Sequence, residues 1–278
     1  MLDGFLLYHP VMNKKEEAKY LEKEWKGMNI YLKDFLETGD QEALHRFRVQ
    51  IKKLRALLCF FEDTSNQSGL LKGFKPVRKI FKAAGHIRDA YTNLQLSESY
   101  AIKNEYFESG QKKIIEDGIN EFRHNGKKFI KNIKIACKHL KKHLPGVENH
   151  SIADYYKKQL QQIAANLAVS GFTEGMHTNR KLIKILVYNH KMAEKALNGI
   201  LPFNTTYLDK LQDTIGKWHD NFVAAQLFSS PELNDKPIVT RIKRKNAVIK
   251  RRINSLADDF LRKATTAEET EDKNLIKK

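Results

Sequence analysis

The sequence predicts an all-α protein built from a tandemly repeated unit of four helices. Three observations carry this reading. Only 14 glycines and 6 prolines punctuate 278 residues, too few turns for a many-stranded sandwich or barrel. Apolar residues recur almost throughout at steps of three and four, the period that gives a helix one buried face. Two separate short motifs also return at nearly the same offset. His45, Arg48, Lys52 and Leu54 reappear 132 residues later as His177, Arg180, Lys184 and Leu186. Gly85, Asp89, Gln95 and Leu96 reappear 131 residues later as Gly216, Asp220, Gln226 and Leu227.

The first helix is predicted from Lys14 to Leu36, with Leu21, Trp25, Met28, Leu32 and Phe35 on its apolar face. Gly39 suits a C-cap and Asp40 an N-cap, so a short loop leads into an antiparallel second helix over Gln41–Phe61. Its inward positions are Leu44, Phe47, Ile51, Leu54, Leu58 and Phe61. After a break at Ser65–Gly69, Pro76 fits the first turn of a third helix reaching Ile102. A fourth helix, laden with lysine, covers Gln111–His143. Leu144-Pro145-Gly146-Val147 is the strongest interruption in the chain and separates two halves, 14–143 and 150–263. Four more helices are predicted over Ser151–Val169, Glu174–Leu197, Asn204–Phe228 and Pro237–Lys263. The tail, 264–278, is polar, lacks an apolar period and reads as disordered.

A content of 41% hydrophobic and 30% charged residues belongs to a folded chain. No apolar run is long enough to cross a bilayer. The opening MLDGFLLYHP carries an acid and no basic leader, so it does not read as a secretory signal. The two cysteines, Cys59 and Cys137, fall inside helical patterns as small core residues, as expected in a reducing cytoplasm. The 50 Lys+Arg against 33 Asp+Glu leave a net charge of +17. That imbalance calls for a polyanionic partner: nucleic acid, an anionic membrane face or a phosphate polymer.

The positive charge is laid out in stripes. His45, Arg48, Lys52 and Arg55 are spaced three, four and three apart, beside the apolar face of the second helix. Like charges at such spacings repel, and a surface meant only for solubility would interleave glutamate. The third helix adds Lys75, Lys79, Lys82 and His86. The fourth carries Lys127, Lys131, Lys134, Lys138 and Lys142. In the second half His177, Arg180, Lys184 and Lys191 share a helix, and the last helix bears Arg241, Arg244, Lys245, Arg251 and Arg252. One such stripe is most simply a solvated helix face; several, duplicated across two halves, point to an anion-binding surface.

Catalysis and metal binding find little support. His45 and His177 have cationic neighbours and no acid three or four residues on, which disfavours a divalent ion and favours the neutral imidazole until an anion arrives. His139 and His143 have better zinc spacing, but Lys138, Lys141 and Lys142 crowd them. His219-Asp220 resembles a phosphohydrolase dyad, yet the matching pair in the first half is Arg88-Asp89, and arginine cannot replace a metal ligand. A structural role fits better, with Gly85 and Gly216 permitting close helix approach and Asp89 and Asp220 holding a basic or backbone partner. No nucleophile–base set, phosphate-binding glycine loop or acidic cluster appears. The expectation is a protein that is not an enzyme and carries no cofactor or metal.

His45-x-x-Arg48-x-x-x-Lys52-Lys53-Leu54-Arg55, Gly85-x-x-Arg88-Asp89 and their second copies resemble the CHAD domain, the conserved-histidine α-helical domain. The resemblance spans residues 14 to 263. It implies two tandem four-helix bundles related by internal pseudo-two-fold symmetry, whose basic faces converge on a groove that binds inorganic polyphosphate. Carried over by position, His45, Arg48, Lys52 and Arg55 form the first motif and His177, Arg180 and Lys184 the second. Val187 stands where an arginine like Arg55 is expected, and His219 where Arg88 has its counterpart. The full expected surface is His45, Arg48, Lys52, Arg55, Lys82, Arg88, Lys131, Lys134, Lys138, His177, Arg180, Lys184, Arg244 and Arg251. The location implied is cytoplasmic, at polyphosphate granules, with no membrane partner and at most weak binding of nucleic acid. Non-specific nucleic-acid binding is the alternative, but it calls for aromatic rings interleaved with the cations, and Phe47, Phe60 and Phe61 sit on apolar faces instead. A metal-dependent phosphoanhydride hydrolase is the third reading and lacks its carboxylates.

Overall fold

Asn13 opens the first helix, α1 (Lys14–Thr38), its side chain accepting from the backbone N–H groups of Lys15 and Glu16. The helix ends at Gly39, whose left-handed φ of 75° returns its N–H to the Phe35 carbonyl. Asp40 then accepts from the Ala43 N–H at 2.8 Å and starts α2 (Gln41–Ser65). The computed structural model describes residues 11–266 apart from Ser170. The opening segment weighed as a leader and tail residues 267–278 lie outside the described residues. Every apolar position predicted on the first two helices is buried.

The chain continues through α3 (Leu70–Gly73), α4 (Lys75–Ser99), α5 (Glu105–His124) and α6 (Gly126–Lys142). The second half holds α7 (Asn149–Val169), α8 (Glu174–Ala196), α9 (Thr205–Phe228), α10 (Lys236–Ala257) and α11 (Phe260–Thr265). Two short strands, β1 (Val11–Met12) and β2 (Val147–Glu148), pair antiparallel and tie the start of α1 to the link between the halves. The fold is all-α, and no helix among the described residues is long and apolar enough to cross a membrane.

Two predicted helices are broken. The lysine-rich helix expected over Gln111–His143 is α5 and α6, joined at Asn125. Gly126 rests against the end of α1, where a Cβ would lie 3.0 Å from Leu36 Cδ2. Arg123 donates to the Leu36 and Glu37 carbonyls, both at 3.1 Å, so the chain folds around the α1 terminus instead of running straight past it. The helix expected over Pro237–Lys263 stops at Ala257, because Asp259 takes a left-handed φ of 49°. Next, α11 turns back with Phe260 and Ala264 buried, and the Ala264 carbonyl accepts from the Asn204 N–H. The polar tail expected from Ala264 therefore starts beyond this helix. Among the described residues the count is six helices and five, where four and four were expected.

One hydrophobic cluster runs from α1 and α2 through α4 and α6 into α7, α8, α9 and α11. At its middle lies α2, where Ala56, Leu57 and Phe60 are buried in addition to the predicted face. Phe60 meets the rings of Tyr155 and Tyr156 edge-on, at 5.2 and 6.4 Å between centroids. Asn189 of α8 donates to the Ala56 carbonyl at 3.1 Å. Helices α2 and α8 thus pack directly across the link, and these are the helices that carry the two histidine-arginine-lysine motifs.

Candidate anion-binding groove

Packing of α2 on α8 brings the duplicated stripes together. The Lys52 ammonium lies within electrostatic reach of Arg48 on its own helix and of Arg180 and Lys184 on the other. Among the described residues, none of His45, Arg48, Lys52, Arg180 and Lys184 forms an ion pair within 4 Å. Two acids temper the cluster from a distance: Asp89 faces Arg48 and Asp220 faces Lys52.

Both arginines are seated by the same device. Arg48 donates from Nη1 to the Phe81 carbonyl at 3.0 Å, with its guanidinium 4.4 Å over the Phe81 ring. Arg180 donates from Nε to the Gln212 carbonyl at 3.1 Å, and Phe81 and Gln212 are separated by the repeat offset of 131 residues. A Cβ at Gly85 would lie 2.8 Å from Arg48 Nη1, and one at Gly216 would lie 2.8 Å from Arg180 Nη2. The two glycines therefore leave room for a guanidinium, which corrects the expectation that they serve close helix approach. Lys184 reaches Gln212 Oε1 at 3.4 Å and lies 5.2 Å over the Tyr188 ring.

The electrostatic consequence is a lowered proton affinity. Burial first, then repulsion from Arg48, Arg180 and Lys184, pulls Lys52 from 10.5 to about 8. Lys52 is nonetheless exposed as a residue, so the ammonium remains open to a ligand. Burial and Arg88 lower His45. Burial, Lys181 and His219 push His177 down to about 4. The His177 and His219 rings stack at 4.2 Å, with an interplanar angle of 21°, and His177 Nδ1 is buried without a partner. In the first half the corresponding cation is Arg88, which lies 5.1 Å over Tyr91.

Phe47, Phe60 and Phe61 are core residues, as expected. Phe81, Tyr91 and Tyr188, however, stand half-buried beside the cations, so aromatic rings do accompany the stripes. One face of each is taken by Arg48, Arg88 and Lys184 respectively, giving that face to the protein's own charges rather than to a stacked base. Phe81, Gln212 and the stacked His219 belong to the site and were not singled out for these contacts. The signal for Phe81 and Gln212 was in the sequence: each lies four residues before a repeated glycine.

Other expected residues lie elsewhere. Arg55 is further along α2, near Cys59 and Arg78, and Lys82 is exposed on α4. Lys131, Lys134 and Lys138 form the exposed face of α6, which packs on α1, α3, α4 and α5. Arg244 and Arg251 are exposed on α10, which packs mainly on α9. No group of three or more His, Cys, Asp or Glu side chains among the described residues is placed to hold a metal ion.

A family model described as the CHAD domain matches residues 19–229. The chain belongs to the CHAD domain family. The matched segment starts within α1 and runs through α9, so it holds both motif helices, while α10 and α11 lie beyond it. No curated protein matches. Among solved structures, the CHAD domain from the plant Ricinus communis superposes with a TM-score of 0.63 at 13% identity, over 92% of this chain and 95% of that one. At that identity the likeness is one of fold, and it extends the CHAD architecture over nearly the whole chain.

Proposed function

We propose that this CHAD domain binds inorganic polyphosphate without acting on it chemically, along the groove between α2 and α8. The observation that carries the reading is Lys52: four cations from two helices lie close together without an ion pair, and burial, with their mutual repulsion added to it, lowers the proton affinity of the lysine among them. A chain with about one negative charge per internal phosphate relieves that repulsion. It has no bases to be read, so charge density and oxygen acceptors are all a binder can recognise. Arginine and lysine supply the donors, and packed helices hold them, so little side-chain order is lost on binding. Burial and cationic neighbours lower the proton affinity of His45 and His177, and an arriving anion raises it. The first half carries the fuller motif and contributes the larger share. A cytoplasmic location at polyphosphate granules follows from this partner.

Counterion release supplies the test. Titration of long-chain polyphosphate into the full-length protein is expected to weaken by tenfold or more between low and moderate salt, with a log–log slope of several units. Lys52→Glu combined with Arg180→Glu should reduce the slope and the affinity together. A slope near zero overturns the reading. Competition separates the polymers: polyphosphate should displace single-stranded DNA far more readily than the reverse, and no phosphate should be released with Mg²⁺ or Mn²⁺ present.

A further inference from the structure

A second cationic recess lies outside the groove, where the end of α6 meets the loop before α3 and the start of α1. It has a volume of about 290 Å³ and is lined by Lys14, Gln67, Ser68, His139, Lys142 and His143, with Gly69, Leu70 and Leu144 completing its walls. No carboxylate is among these residues. Glu62, near the end of α2, accepts from the Gly69 and Leu71 N–H groups at 2.7 and 3.1 Å, and the buried Glu17 feels Lys14 from the core side.

The recess is built by the fold. His139 lies against α3 where Gly73 has no side chain; a Cβ there would stand 2.7 Å from His139 Cδ2 and 3.1 Å from its Nε2. His143 tilts over His139 at 4.2 Å between ring centroids. Its Nδ1 is engaged by the His139 carbonyl at 2.7 Å, which orients the ring and leaves Nε2 for another partner. Two ammonium groups, two imidazoles, an amide and a hydroxyl therefore line one small volume with no carboxylate among them, and His143 Nε2 becomes a donor when its ring takes a second proton, because Nδ1–H is spent on the His139 carbonyl. Lys131, Lys134 and Lys138 lead away from Lys142 along the exposed face of α6, a run of about 16 Å at the helical rise.

We propose that this recess is a separate binding site for a compact, multiply charged phosphate oxyanion of pyrophosphate size. The same chemistry is offered by a free anion and by the end of a polyphosphate chain, whose terminal group carries more charge than an internal one and whose body would follow the α6 lysines. The site shares no residue with the groove, so the two fail independently.

The experiment uses the full chain carrying Lys52→Glu and Arg180→Glu to silence the groove, titrated by calorimetry with pyrophosphate and with long linear polyphosphate. Stoichiometric binding of either probe is expected, weakened at least tenfold by adding Lys142→Glu with His143→Ala, and likewise by Gln67→Glu, a single exposed change on the opposite wall. Binding of pyrophosphate alone assigns the site to a free anion; binding of both assigns it to the chain end. Absence of binding of both probes, or binding indifferent to both sets of changes in proteins that still melt cooperatively, overturns the proposal.

Discussion

Lys52 gives the groove its sharpest pH signature. In the free protein the ammonium titrates at about 8, pulled down by burial and by three neighbouring cations. A bound polyanion restores it toward 10.5, so the complex takes up a proton between those values and affinity falls as pH rises through that window. Lys52→Met should abolish this fall and weaken binding at neutral pH about tenfold. Calorimetry in buffers of different ionisation enthalpy reads the proton uptake, and an unchanged profile in the variant would remove Lys52 from the centre of the site. His177, pushed down to about 4, acts in the opposite range, tightening binding only under acid conditions. Glu17 shows the other kind of titration. Its carboxyl is 0% exposed and burial raises it from 4.5 to about 7, against the pull of the Gly146 and Val147 N–H groups and of Lys14. Neither carboxyl oxygen has a hydrogen bond of full geometry, so these groups act through proximity. Between pH 4.5 and 7 the folded state holds more protons than the unfolded one, and stability falls as pH rises across that window, by about 3 kcal/mol in all. Glu17→Gln should flatten this dependence in urea unfolding; a profile as steep as wild type would exclude Glu17 as its source.

At the scale of helices, the repeated glycine is an arginine seat. Gly216→Ala would place a methyl carbon 2.8 to 3.1 Å from three atoms of the Arg180 guanidinium and push it off the Gln212 carbonyl. The expected cost is about 1–2 kcal/mol in stability, with a loss of polyphosphate affinity close to that of Arg180→Ala. Combining the two should add little beyond Arg180→Ala alone, as for partners in one contact. Additive losses would show that the glycine serves some other purpose. Periodicity located the long helices well because one-sided burial leaves a 3.6-residue rhythm, and it missed the joints at Asn125 and Asp258–Asp259 for a physical reason. Lysine and isoleucine continue the rhythm across Gly126, and nothing local says that Leu36 blocks a straight path. The buried Ala56, Leu57 and Phe60 escaped for the converse reason, since a helix packed on two sides has no single face to find.

For the whole molecule, the halves are one structure. Phe60 and Ala56 are covered by α7 and α8, and a second small cluster joins Leu96, Tyr100 and Ile102 near the α4 end to Phe228 and Ile242 of α9 and α10. A fragment of residues 11–143 should therefore lack a cooperative thermal transition and bind hydrophobic dye; a sharp melt near that of the full chain would show that the first half folds alone. The fold class, the duplicated motifs and the excess of positive charge were set by residue types and their spacing, because helical period and charge balance can be read directly from a chain. Which cations meet is not local. His45, Arg48 and Lys52 join Arg180 and Lys184 because α2 packs on α8, whereas the α6 lysines, likewise spaced by threes and fours, stand on another face because Gly126 turns their helix around the end of α1. Charge stripes that look alike along a sequence acquire different neighbours only once the core has packed, and the neighbours decide what each stripe can bind.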